Sequence, residues 1–436
     1  VKIFENLQNL QNFQDSFRKK ITKNRAVLIR VDFNMPTDQN GNITSFQRLE
    51  KAQETINFVL KCSGIPILLA HLGEKGAKFS AYIEQINAYL RNRGFHTIHL
   101  VSDESCFTSM IKALQRLLSA TEETEGKVFL IENIRLYSEE KENSHKAAQM
   151  LISEISEFYI NEAFSCCHRS HMSMSALPMH TIHKFCGIRF MQELKAILPL
   201  TKTNFDDTTV ILGGAKISTK LPLIKFMTGK VKNIIVSGGI ANTILKYGLN
   251  YNISSSLIEI DAKSDVDNLM YDKKCKIISI DSYEKDSQMT QILLPSDFRI
   301  SEDVRKESEA LQLKIQELNT TKHSFSICDI GNATVLAMNN ILQEQKIVIW
   351  NGPLGVYEDK RFKQGTDRTL QMLSKFTKNG VIKSFIGGGD TIACIENQSE
   401  VNITHISDGG GSFIALLSGD SLPGLNSMLS TNSHLK

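Results

Sequence analysis

Long hydrophobic runs are missing from this chain of 436 residues, and no apolar stretch approaches the length of a membrane-spanning helix. The first residues, Val1 to Lys20, are polar and mixed in charge, unlike a secretory signal. The expectation is a cytoplasmic protein with no membrane partner. The eight cysteines include no C-x-x-C pair, and Cys166 and Cys167 are adjacent, which argues against a zinc site and against a disulfide framework. No long Lys/Arg tract occurs and the formal charge is only +3, so nucleic acid is not expected as the main partner. No G-x-G-x-x-G follows the first apolar runs, which weakens a nicotinamide-dependent reading. Nor does a Ser or Cys nucleophile elbow accompany His71, His168 or His171, so these read as hydrogen-bonded structural histidines.

What is present is a composition of 41% hydrophobic and 22% charged residues, ordinary for a globular protein, on a chain too long for one core. Short apolar runs alternate with longer amphipathic segments. Val27–Val31, Ile65–Leu69, Val128–Ile131 and Phe158–Ile160 form a first series of expected buried parallel strands. Val210–Leu212, Ile234–Val236, Ile277–Ile280, Ile347–Trp350 and Val381–Ile386 form a second. The expected fold class is α/β, with two Rossmann-like domains, each a parallel sheet flanked by helices, joined by a helical hinge. The hinge is placed at 187–200, where Phe190, Met191, Leu194 and Ile197 recur at helical spacing. Ser102–Lys127 and Asp281–Gln288 read as surface excursions.

The chemistry-bearing residues gather where such strands end. Gly387-Gly388-Gly389-Asp390-Thr391 follows a strand and opens a helix, whose unpaired N–H groups and positive dipole end make an oligophosphate seat, with Asp390 a hard oxygen for Mg²⁺. Gly213-Gly214-Ala215-Lys216 repeats the pattern, and Lys216 and Lys220 are read as one helical turn apart on a common face. Asn351-Gly352-Pro353 begins a rigid turn that leads to Glu358, a candidate acceptor for ribose hydroxyls. Ser407-Asp408-Gly409-Gly410-Gly411 precedes another helix. In the first half, Asp32, Asn34, Arg48, His71, Arg135 and Arg169 fall after strands, where converging guanidinium groups suit a small acid bearing phosphate.

These motifs together resemble phosphoglycerate kinases: RVDFN at 30–34, QRL at 47–49, HLG at 71–73, ENIR at 132–135, HRSH at 168–171, GGAK at 213–216, WNGP-x-G-V-x-E at 350–358, GGGDT at 387–391 and LPG at 422–424. The resemblance implies an acid-substrate domain over 1–186 with 418–436 folding back onto it, a connecting helix at 187–200 and a nucleotide domain over 201–417. It implies a cytoplasmic monomer that transfers a phosphoryl group between 1,3-bisphosphoglycerate and ADP, with Mg²⁺ as cofactor and domain closure during turnover. By motif, Asp32, Asn34, Arg48, His71, Arg135 and Arg169 match acid-binding positions. Gly213, Gly214, Lys216, Lys220, Gly238, Gly239, Asn351, Pro353, Val356, Glu358, Gly387, Gly388, Gly389, Asp390 and Thr391 match nucleotide positions, Asp390 also the metal position. Arg48, Lys216, Gly388 and Gly411 match catalytic ones. Departures from the family pattern are Glu74 for Arg, Thr219 for Asp, Asn332 for Pro, Asp408 for Thr, and Phe413 and Ala415 for Ser and Glu. They define the alternative, a kinase-derived nucleotide-binding scaffold with weak or no turnover.

Overall fold

The computed structural model describes residues 13–73, 76–102, 106–119, 126–202, 205–302, 309–396, 398 and 400–430. Glu74 and Lys75 lie outside the described residues. Two compact units divide the chain, one running to Ala196 and resuming at Ser421, the other spanning Ile197–Asp420.

The first unit is built on β1 (Ala26–Arg30), β2 (Ile65–Leu69), β3 (Ile98–Val101), β4 (Val128–Ile131), β5 (Phe158–Asn161) and β6 (His183–Cys186). They form one sheet in the order β3-β4-β2-β1-β5-β6, every pair parallel. Burial on both faces explains why β2 and β4 are wholly apolar. Pro66 is tolerated inside β2 because pairing with β4 begins only at Ile67. Between β1 and β2, helix Gln47–Lys61 buries Leu49, Ala52, Ile56 and Val59, the apolar stripe of a 3.6-residue period. The expected surface excursion at 102–127 contains a helix, Phe107–Ser119, which buries Phe107, Met110, Ile111 and Leu114. Polar neighbours masked that i, i+3, i+4, i+7 stripe.

The second unit contains β7 (Thr208–Leu212), β8 (Asn233–Val236), β9 (Cys275–Ser279), β10 (Thr290–Leu294), β11 (Asp297–Ser301), β12 (Leu311–Lys314), β13 (Ser326–Ile330), β14 (Ile347–Asn351), β15 (Lys383–Gly387) and β16 (His405–Ser407). Seven of these strands make a second all-parallel sheet in the order β16-β15-β14-β7-β8-β10-β9. The other three form a separate antiparallel sheet, β12-β11-β13. The sequence reading has no counterpart for it. Helix Ile188–Ile197 is followed by a short 3-10 stretch, Leu198–Lys202, where Pro199 cannot supply the next helical N–H. Among the described residues no helix is long and apolar enough to cross a membrane, and all eight cysteines are free thiols.

Candidate functional site

In the first unit, register brings Arg30 level with Leu69 on one side and Asn161 on the other, so the loops after β1, β2 and β5 leave from one edge of the sheet. Asp32 is the hub. Its Oδ2 accepts from Arg48 Nη1 at 2.7 Å and from Ser165 Oγ at 2.5 Å, while Oδ1 accepts from the Asn34 N–H at 3.1 Å. Burial opposes the Asp32 charge, but Arg48, Ser165 and the Asn34 N–H hold its carboxyl well below the usual range. Asn34 Oδ1 accepts from the Gly73 N–H at 2.8 Å, and Gly73 O accepts from Arg135 Nη1 at 2.6 Å. Arg135 Nε is buried without a partner among the described residues. A buried donor left over in a basic pocket is what an anion would satisfy.

His71, only 2% exposed, sits between two guanidinium groups: Arg30 Nη2 lies 3.3 Å from its Nδ1 and Arg169 Nη1 lies 3.3 Å from its Nε2. Burial and the Arg30 charge keep the ring neutral, outweighing the pull of Asp32. His171 is likewise driven down, to about 4, by burial and then Arg135 and Arg169. Thus Asp32, Asn34, Arg48, His71, Arg135 and Arg169 form one connected cluster. Asp32, His71 and Cys166 also bring ligand-type atoms within 4.8 Å of one another, yet Arg48 and Arg30 abut the first two, which opposes a cation there.

Sequence reasoning placed Arg30 in the RVDFN motif but left it out of the site set. It is fully buried, donates from Nε to Ser173 Oγ at 2.8 Å, and Ser173 passes the contact to the buried Glu140 Oε1 at 2.7 Å. An Arg closing an otherwise apolar parallel strand is the signal that could have marked it, because such a charge needs a partner. Nothing in the sequence marks Ser165 or Glu140.

In the second unit, Leu212, Asn351, Gly387 and Ser407 stand in one row across β7, β14, β15 and β16. Four loops therefore leave side by side. Asn351 ties three of them together: its Oδ1 accepts from Lys220 Nζ after β7, and its Nδ2 donates to Gly387 O at the end of β15 at 2.7 Å. Thr391 Oγ1 accepts from the Gly352 N–H at 2.7 Å. The loops touch so closely that a Cβ on Gly213 would lie 2.0 Å from Pro353 O, and one on Gly239 would lie 2.2 Å from Ala215 O. Gly214, Gly238 and Gly388 have φ of +105°, +60° and +105°, a region that glycine enters without strain. Beyond Gly389 a Cβ would meet nothing within 4 Å. That open face lies in the first turn of helix Gly389–Glu396, where N–H groups are unpaired.

Exposed Asp390 stands in the same turn. One accessible carboxylate beside a phosphate seat fits Mg²⁺, which keeps water and phosphate oxygens as most of its ligands. Lys216 and Lys220 require a correction. Lys216 lies on an irregular loop that leads to a turn at 218–220, and the helix begins only at Leu221 with Pro222 in its first turn, so the two lysines share no helical face. Pro222 lacks an N–H and belongs at a helix start rather than inside one. Lys216 is exposed, while Lys220 is half-buried and its amine is lowered by burial despite Asp390. Val356 and Glu358 are exposed on the loop after β14, and Gly411 is exposed in the first turn of helix Gly410–Leu417. Gly409, directly after Asp408, is the N-cap of that helix.

Two parallel α/β sheets, one carrying a basic cluster and the other a glycine-lined helix start, define a two-domain α/β protein whose polar residues gather at the strand ends. The family model for phosphoglycerate kinase matches residues 18–420. A phosphoglycerate kinase of Wolbachia pipientis (subsp. Culex pipiens, strain wPip) is 32% identical over 410 residues, covering 93% of this chain and 96% of the relative. One of Geobacter metallireducens is 33% identical over 407 residues, covering 92% and 95%. The structure of phosphoglycerate kinase from Coxiella burnetii superposes with a TM-score of 0.71 at 25% identity, over 94% of this chain and 97% of that one. That from Pyrococcus horikoshii gives 0.75 at 21% identity over 93% and 96%, a likeness of fold. The chain belongs to the phosphoglycerate kinase family, and its chemistry is phosphoryl transfer of that type.

Proposed function

We propose that this protein catalyses reversible phosphoryl transfer between 1,3-bisphosphoglycerate and ADP, giving 3-phosphoglycerate and ATP, as a cytoplasmic monomer. The observation that carries the reading is the single row Leu212–Asn351–Gly387–Ser407, which aligns four phosphate-type loops. In this scheme Arg48, Arg135 and Arg169 bind the carboxylate and phosphate of the acid, with Asp32, Asn34 and His71 fixing their positions. Lys220 and the N–H groups of Gly387–Gly389 hold the nucleotide phosphates, and Val356 and Glu358 face the nucleoside. Lys216, Arg48, Gly388 and Gly411 stabilise charge on the transferring group. An oxygen of the ADP terminal phosphate attacks phosphorus, the bond from phosphorus to the acyl oxygen breaks, and the carboxylate leaves with that electron pair. Asp390 would hold Mg²⁺, which offsets charge on the nucleotide phosphates.

A coupled assay with 3-phosphoglycerate and MgATP tests this directly. ADP production that saturates in both substrates is expected. Nucleotide binding without turnover would instead establish the scaffold alternative.

A further inference from the structure

The three-stranded sheet β12-β11-β13 lies apart from the parallel sheet, yet it touches the loop that carries Val356 and Glu358. In register, Asp329 on β13 faces Arg299 on β11. Asp329 is 2% exposed, and its Oδ2 accepts from the Gly365 N–H at 2.8 Å. A Cβ on Gly365 would lie 2.4 Å from Asp329 Oδ1, and one on Gly355 would lie 2.5 Å from the same atom. Both ends of the segment 355–365 are therefore pressed against one carboxylate. Two further bonds tie the segment to the sheet: Arg299 donates from Nε to Arg361 O at 3.1 Å, and the Val356 N–H bonds Cys328 O at 2.8 Å.

We propose that the Arg299–Asp329 pair is the platform that positions segment 355–358 for the nucleotide, making both side chains positioning residues of that site. The inference rests on the nucleotide reading proposed above and goes beyond it by assigning a role to the antiparallel sheet. A carboxyl buried this deeply opposes folding unless hydrogen bonds offset its desolvation, and burial pushes it up to about 7 against the Gly365 and Ile330 N–H groups and Arg299, with Asp367 adding to the rise. An apolar residue would serve a simple sheet as well. What the carboxylate adds is a grip on two glycines whose missing side chains leave room for it.

Calorimetric titration of the full-length wild type, Asp329→Asn, Arg299→Gln and Gly355→Ala tests the proposal, using MgADP and separately 3-phosphoglycerate. Each variant is expected to weaken MgADP roughly tenfold or more while the 3-phosphoglycerate Kd stays within about twofold. Amide hydrogen exchange is expected to accelerate across 355–365 in each variant and not across the first unit. Unchanged MgADP affinity, or equal loss for both ligands, overturns the proposal. If Asp329→Asn does not fold, the partly exposed Arg299→Gln carries the test: selective loss of MgADP supports the platform, and unchanged or equally reduced affinities overturn it. A wild type that fails to bind MgADP overturns the nucleotide reading together with this one, whereas a binding wild type with unaltered variants overturns this one alone.

Discussion

Lys216 is an exposed side chain on the loop before the turn at 218–220, and Glu259 is the charge that feels it, so its ammonium stands where a phosphoryl group can reach it. Lys216→Ala is expected to lower kcat by ~10² or more with a smaller change in nucleotide Kd, the pattern of a lost transition-state donor. Steady-state kinetics beside calorimetry separates the two quantities, and undiminished turnover would remove Lys216 from the catalytic set. Asp390 calls for the opposite comparison. Asp390→Ala is expected to weaken MgADP much more than metal-free ADP, because the partner proposed for it is the ion. Equal losses in the two titrations would argue that its carboxylate serves the helix start instead.

Among the elements, helix Ile188–Ile197 has the most distinctive start. Glu162, just beyond β5, places Oε1 within 2.9 Å of Thr55 Oγ1 and 3.1 Å of the Arg189 N–H, and Thr55 Oγ1 accepts from the Ile188 N–H at 2.9 Å. A Cβ on Gly187 would lie 1.8 Å from Glu162 Oε2, so glycine is what lets the carboxyl reach the helix start. Burial raises the Glu162 carboxyl to about 8, outweighing the Arg189 N–H and Thr55 hydroxyl. A carboxyl raised on folding contributes stability that is complete below its unfolded pKa and lost as pH rises through the folded one. Unfolding free energy is therefore expected to fall between about pH 5 and pH 8, by on the order of 2–5 kcal/mol from this group. Chemical denaturation across that range should show the slope in the wild type and a flatter one in Glu162→Gln; parallel slopes would exclude Glu162 as its origin.

At the scale of the whole molecule, the chain's last described segment belongs with its first unit. The Gly424 N–H bonds Cys167 O at 3.0 Å, and Lys184 Nζ holds the carbonyls of Ser427 at 2.9 Å and Ser430 at 2.8 Å. Cys167 neighbours the loop that carries Arg169, so truncation after Asp420 is expected to raise the 3-phosphoglycerate Kd several-fold and to leave MgADP binding nearly unchanged. Calorimetry with both ligands decides it, and an equal loss of both affinities would mean general unfolding. Nine of the thirteen strands in the two parallel sheets were legible in the sequence as apolar runs, whereas β3, β6 and β16 are short and carry polar residues, and β10 opens on Thr290 and Gln291. The glycine loops at the strand ends were legible because glycines after such strands leave a recognisable signature. The antiparallel sheet was not, since the polar and largely exposed β12 carries no apolar run, and its pairing is set by partners distant in sequence. The supposed helical face of Lys216 and Lys220 failed for a local reason, as the backbone turns before Pro222. Arg30 shows the remaining limit: its position was readable, but its partner Ser173 lies 143 residues away and is brought to it only by folding. By itself the sequence determined the α/β class, the two strand series and the residue types at the strand ends, because burial and backbone conformation act locally. Only the tertiary structure decided which of those residues meet, because the low dielectric of a folded interior forces buried charges such as Arg30, Glu140 and Asp329 to find partners from distant segments.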